Sequence, residues 1–141
     1  MDSKGRLAIP TKYRQHLLDS ANNQMVLTID RDRCLLLYPL PVWENIERKL
    51  IQLSSTNSRT RALKRLLLGH AEDCCLDASG RVLLPVPLRA FANLEKQVVL
   101  VGQGNKFEIW NEPAWNAWRD ALLTDATDGS EPLPDLDALA F

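Results

Sequence analysis

The chain lacks most of the features that announce chemistry. Its 141 residues include only three cysteines, Cys34, Cys74 and Cys75, and two histidines, His16 and His70. An odd cysteine count with an adjacent pair makes a poor disulfide framework, because neighbours rarely reach bonding geometry without strain. No C-x-x-C occurs and neither histidine stands at ligand spacing, so no zinc site is expected and the cysteines read as ordinary, partly buried thiols. A nucleophile elbow, a Walker loop, a dinucleotide-binding glycine motif and a metal-binding His pair are all missing, which removes the common enzyme classes. The glycine pair in "GQGN" lies between strand-like runs and reads as turn chemistry. No apolar run approaches the roughly 20 residues of a bilayer-spanning helix, and no basic-then-apolar leader pattern is visible. The expectation is a soluble, cytoplasmic protein that is not an enzyme and carries neither metal nor cofactor.

Basic residues are also missing from one end. After Arg119 there is none, while Asp120, Asp125, Asp128, Glu131, Asp135 and Asp137 follow. Up to His70 there are 12 basic residues against 6 acidic, and from Ala71 onward 5 against 12. The formal net charge of −1 therefore hides a basic body behind an acidic end, and the total does not argue against an anionic partner. The length suits one domain or two small, intimately packed halves, and a composition 45% hydrophobic and 25% charged is that of a globular chain.

What is present is a repeat. "MDSKGRLAIP" returns as "LDASGRVLLP", so that Asp2, Gly5, Arg6, Pro10 and Arg14 match Asp77, Gly80, Arg81, Pro85 and Arg89 at one constant offset. After a small deletion "MVLTIDRDRCLLLY" parallels "VVLVGQGNKFEIW", setting Tyr38 against Trp110 and Trp43 against Trp115. Each half reads as a turn and short strand, a brief helix, a hairpin and a longer helix. In the turn the Asp2 side chain can cap backbone amides, and Gly5 can take positive φ without a Cβ clash. Leu7 and Ile9 alternate as in a half-buried strand, and Pro10 stops further ladder bonding. The hairpin turns are expected at "DRDR" and "GQGN". Pro41 and Pro113 suit the first turns of helices. These carry Trp43, Ile46, Leu50 and Leu53 in one half, and Trp115, Trp118 and Leu122 in the other, as core or subunit contacts. Ser58 is the expected N-cap of "RTRALKRLLL", with Gly69 its stop.

The division expected is a first repeat over 1–54, an inter-repeat helix over 55–70, a second repeat over 71–123 and a loosely ordered acidic tail over 124–141. Before the second motif "HAEDCCL" is long enough for a strand leading into the turn. Before the first there is only Met1. If the halves share a fold, the first lacks its leading strand, leaving a neighbouring strand with an open edge. The natural protein is expected to begin several residues upstream.

The two D-x-x-G-R-(apolar)-x-(apolar)-P elements, the link "RALKRLLLGHAEDC" and "VVLVGQGNKFEIW" closely resemble the MraZ family, over nearly the whole chain up to about Trp118. The resemblance implies an α+β fold of two tandem swapped-hairpin, AbrB-like repeats forming an intrachain pseudo-dimer, with helices between and after them. It implies a bacterial transcriptional regulator, by expectation a repressor, of the division and cell wall gene cluster that includes its own gene. It further implies a nucleoid-associated ring of about eight or more subunits, one face of which engages short G-rich direct repeats in double-stranded promoter DNA. Arg6 and Arg81 then take the family's DNA-contacting position, and Asp2 and Asp77 its turn-shaping acidic position beside Gly5 and Gly80.

The chemistry of the residues agrees with that role. Guanidinium is a planar fork that can pair bidentately with guanine O6 and N7 or with a phosphate. Lys4, Lys12 and Arg14 form a basic cluster with Arg6, whereas the second half offers Arg81 and Arg89, with Ser79 in place of Lys4. The first half is therefore expected to bind phosphates more strongly. The plainer reading is that Arg6 and Arg81 pair with Asp2 and Asp77 and fix the turns, and both can hold if the aspartate orients the arginine before DNA arrives. The rival to a DNA regulator is a structural or antitoxin-like oligomeric interaction module of the same fold.

Overall fold

The computed structural model describes residues 1–125. Among them the elements run β1 (Arg6–Ala8), α1 (Thr11–Ala21), β2 (Gln24–Ile29), β3 (Leu35–Pro39), α2 (Leu40–Gln52) and α3 (Ser58–Leu67). There follow β4 (Glu72–Cys75), β5 (Arg81–Leu83), α4 (Val86–Phe91), β6 (Val98–Gly102), β7 (Phe107–Asn111) and α5 (Glu112–Asp125). The class is α+β. A two-stranded ribbon, β1–β5, lies apart from a five-stranded sheet of order β4-β2-β3-β7-β6, and every pairing is antiparallel.

Strands that alternate their side chains build the core from one face of this sheet. Met25, Leu27 and Ile29 of β2, Leu35 and Leu37 of β3, and Phe107 and Ile109 of β7 point into one apolar cluster. The ribbon closes it with Leu7 and Val82, helped by Ile9 and Leu84 just beyond the strands, by Leu17 of α1 and by Leu88 of α4. Both repeats thus contribute to a single core, Leu7 with Val82, Ile9 with Leu84 and Leu17 with Ala92 at matching positions. Each fully buried aliphatic side chain of this kind is worth about 1.5–3 kcal/mol relative to exposure.

The opposite face of the sheet is covered unequally. In the first half Val26, Leu36 and Tyr38 meet Trp43 of α2 and Leu67 at the end of α3. There the hydroxyl of Thr28, fully buried, donates to the Leu67 carbonyl at 2.6 Å. In the second half Trp110 meets Trp115 and Trp118 of α5, with ring centroids 5.6 and 5.9 Å away. Among the described residues no helix takes the place of α3 there, and Val99 and Val101 stay half-exposed. The edges differ too. β4 covers the edge of β2, Gln24 opposite Cys75 and Leu27 opposite Glu72, whereas β6 ends the sheet. Beyond β4 the Leu76 amide donates to the Asn23 carbonyl at 3.2 Å. The Met1 amine repeats that contact on the Lys96 carbonyl at 3.0 Å.

Several local expectations need correction. Asn57, not Ser58, caps α3: its Oδ1 accepts from the amides of Arg59 and Thr60 at 2.8 and 3.3 Å, which leaves Ser58 as the first helical residue. Helix α3 ends at Leu67, two residues before Gly69. The second hairpin turn lies one residue later than "GQGN", because Gly102 is still paired with Phe107. Helix α1 is not brief. It runs 11 residues, against 6 for α4 at the same place, and both helices are followed by an asparagine at φ 51°, Asn22 and Asn93. Trp43 and Leu50 are core residues as expected, but Trp118, Leu122 and Leu123 lie exposed on α5. That helix continues to Asp125, past the expected end of the second repeat. The rest of the acidic tail, residues 126–141, lies outside the described residues.

Candidate nucleic-acid interface

The two D-x-x-G-R turns are built alike down to single atoms. Asp2 Oδ1 accepts from the backbone amides of Lys4 and Arg6 at 3.0 and 2.9 Å, and its Oδ2 accepts from Arg6 Nε at 2.7 Å. Asp77 does the same with Ser79, Arg81 and Arg81 Nε, at 2.8, 2.9 and 3.2 Å. The turn closes when the Gly5 amide donates to the Asp2 carbonyl, and the Gly80 amide to that of Asp77. The Arg6 backbone amide, more than the facing guanidinium, holds the Asp2 carboxyl below its ordinary 3.8, and the Arg81 amide does so for Asp77. Both carboxylates are therefore charged at neutral pH and each anchors one arginine by Nε. Of the two readings of these arginines, the ion pair that fixes the turn is present.

The turns then meet. In the ribbon Arg6 lies opposite Leu83, Leu7 opposite Val82, and Ala8 opposite Arg81. Leu7 and Val82 face the core, so alternation sends Arg6, Ala8, Arg81 and Leu83 to the other face. Two arginines, one from each repeat and about one-third exposed at 33% and 32%, therefore lie diagonally on one outward surface. Arg81 Nη1 also approaches Asp2 Oδ2, at 3.8 Å. The strands are extended by reciprocal bonds, Ile9 amide to Gly80 carbonyl at 3.0 Å and Leu84 amide to Gly5 carbonyl at 2.8 Å.

Arg14 and Arg89 sit elsewhere than a surface cluster would put them. Both are half-buried, and each lies across the glycine of the other repeat's turn. A Cβ on Gly5 would stand 2.6 Å from Arg89 Cζ, and one on Gly80 would collide with Arg14 Nε. With φ of +85° and +73°, the backbone at both positions calls for glycine, and a side chain there would also push the crossing arginine aside. Arg14 Nε donates to the Ile9 carbonyl at 2.7 Å. Arg89 Nε is buried without a hydrogen-bond partner among the described residues. Lys4 and Lys12 are exposed, Lys12 with its ammonium 4.9 Å from the centroid of the Tyr13 ring. The structure thus brings Asp2, Gly5, Arg6, Asp77, Gly80, Arg81, Arg14 and Arg89 into one interlocked unit, with Lys4 on its first turn and Lys12 on the helix after it.

Two features of this surface escaped the sequence: the crossing of each arginine onto the other repeat's glycine, and the outward Leu83. The first had a signal, since a glycine and an arginine conserved between the two halves at one offset can be satisfied by packing on each other. Among the described residues no cluster of His, Cys, Asp and Glu could hold a metal ion. The cysteines are free. Burial pushes the Cys34 thiol far up and Cys74 to about 12.

The fold and the site define an internally duplicated α+β chain that pairs its two arginine turns into one exposed ribbon. The chain belongs to the MraZ family. The profile described as "MraZ protein, putative antitoxin-like" matches residues 1–66 and again 67–130, once for each half. The chain is 53% identical to the transcriptional regulator MraZ of Methylococcus capsulatus, over 100% of this chain and 94% of the relative. It is 54% identical to that of Escherichia coli, over 96% and 93%, and 61% identical to that of Idiomarina loihiensis, over 82% and 77%.

Proposed function

We propose that this protein is a sequence-specific, DNA-binding transcriptional regulator that presents the β1–β5 ribbon to the major groove. One observation carries the reading: two arginines from separate repeats, each held at Nε by its own aspartate, share the exposed face of a two-stranded antiparallel ribbon. A ribbon of this width fits the major groove, where a guanidinium can pair with guanine O6 and N7. An arginine fixed before DNA arrives loses little conformational freedom on binding. Arg6 and Arg81 are the base-reading pair. Lys4 and Lys12 contact phosphates on the first-repeat side. Arg14 and Arg89 brace the opposite turns and add charge to the same face.

The finer reading follows the family resemblance. The two halves, 1–54 and 71–123, form a swapped-hairpin, AbrB-like pseudo-dimer joined by the 55–70 segment, and β4 of one half lying on β2 of the other supports it. The relatives are named as transcriptional regulators, which supports a regulator; by the resemblance alone its targets are the division and cell wall cluster, its own gene included. It works in the cytoplasm at the nucleoid, as a repressor, from a ring that engages G-rich direct repeats. No described helix is long and apolar enough to cross a membrane. Trp118, Leu122 and Leu123, exposed along α5, supply an apolar surface for subunit contact. A patch this weak alone gains avidity when several copies meet repeated sites.

The test is fluorescence anisotropy with the DNA upstream of the protein's own gene against a scrambled duplex, at two salt concentrations. Selective binding is expected to weaken with salt, to climb with the number of repeats, and to be lost in Arg6→Ala and Arg81→Ala with assembly unchanged. Equal affinity for the scrambled duplex overturns the regulator reading. Binding to a protein partner that survives Arg6→Ala favours the interaction module, which the exposed α5 stripe also suits.

A further inference from the structure

The ribbon is symmetric in its arginines and asymmetric between them. At the same offset that matches Arg6 to Arg81, Ala8 matches Leu83, Thr11 matches Val86 and Lys12 matches Pro87. Leu83 and Val86 are 58% and 66% exposed, and the register sets Leu83 at the end of the face where the first repeat's turn and Arg6 lie. Leu83 is directly opposite Arg6 in the ribbon register. Side chains so paired stand about 5 Å apart at Cβ, less than two base-pair steps of about 3.4 Å each, so the long arginine and the leucine can reach neighbouring pairs. In the free protein this leucine packs on no core cluster.

We propose that Leu83 is a specificity-determining residue that covers the C5-methyl group of a thymine lying next to the guanine bound by Arg6. The inference rests on the DNA-reading ribbon described above. In the major groove thymine presents a methyl group, and an apolar side chain is the complement of that edge. At the other end of the ribbon Ala8 stands opposite Arg81, with Thr11 and Lys12 following it in the chain, and offers no large apolar group. The pseudo-two-fold reader therefore carries a bulky apolar side chain beside Arg6 and none beside Arg81. It reads a directional site.

The experiment uses a duplex enriched by the wild-type protein from a random-sequence pool. Each thymine is replaced in turn by deoxyuridine, which deletes only the methyl, and each guanine by 7-deazaguanine. Wild type is expected to lose about four-fold in affinity at one thymine per site, the effect of one buried methyl group. That thymine adjoins the guanine whose N7 ceases to matter in Arg6→Ala. Leu83→Ala, a change at an exposed position, binds the parent duplex several-fold more weakly and is indifferent to deoxyuridine there. Ala8→Leu gains a thymine preference beside the guanine read by Arg81. If no thymine matters, or Leu83→Ala keeps the full deoxyuridine penalty, the assignment of Leu83 falls while arginine-dependent binding stands. If the protein enriches no sequence at all, both fall.

Discussion

Gly80→Ala should test the interlock more sharply than any change of charge. The backbone there has φ +73°, where a Cβ costs roughly 1–2 kcal/mol, offset by about 0.4–1 kcal/mol because alanine also restricts the unfolded chain. The larger consequence falls on Arg14. The new methyl would occupy the space of its Nε and Cδ, so the side chain must lift and release the Ile9 carbonyl it holds at 2.7 Å. A hydrogen bond from a charged donor is worth about 1.5–3 kcal/mol. The sum is a loss of about 2–4 kcal/mol, or roughly 6–15 °C in Tm for a chain of this size. Denaturant titration of Gly80→Ala, Arg14→Ala and the double variant separates the two parts. With Arg14 already absent, Gly80→Ala should cost only about 1 kcal/mol, giving a coupling of about 1–3 kcal/mol. A Gly80→Ala protein as stable as wild type, or an additive double variant, would refute the claim that the two repeats lock through these residues.

Other outcomes follow from the same structure. The native carboxyls of Asp2 and Asp77 titrate below the ordinary 3.8, so their contribution is complete above that pH and is lost as pH falls through the lower native values. Denaturation followed from pH 7 to pH 2 should show this acid-side loss, and an Asp77→Asn protein should show a shallower one. Ile109→Ala, in the fully buried centre of β7, should cost about 2–5 kcal/mol by thermal or chemical denaturation, with the arginine surface left intact. Under a thiol reagent at neutral pH, exposed Cys75 should react first, half-buried Cys74 slowly, and Cys34 only on unfolding.

The sequence made the units legible but not their partners. The repeated turn, the alternation in β1 and β5 and the strand-like run before Asp77 could be read from spacing. Nothing in a period of two says that Leu7 pairs with Val82, or that β4 lies on β2. Those choices are made by burial of both sets of inward residues in one core. Arg14 and Arg89 looked like members of a surface cluster because an arginine whose stem is buried has the same letter as one in solvent. The Trp and Leu stripes of α2 and α5 were also indistinguishable. Their burial differs because α2 and α3 share the cover of one half of the sheet, whereas among the described residues α5 covers the other half alone. The arginines of the candidate site were legible because the repeat marks them. Leu83 was not, since its exposure depends on a strand partner contributed by the other repeat.

The crossed pairing of the repeats also sets the order in which the chain can become a protein. β1 has no hydrogen-bonding strand until β5 exists, and β3, already paired with β2, gains its second neighbour only with β7. At a synthesis rate of 5–20 residues per second, β1 must wait about 4–15 s for its partner to leave the ribosome. During that interval the core around Leu7 and Ile9 lacks Val82, Leu84, Phe107 and Ile109. Pairings this distant in sequence also close slowly after synthesis, in the range of milliseconds to seconds. Each turn can close on its own through its aspartate, but the two-arginine face is completed only once both copies of the motif are present.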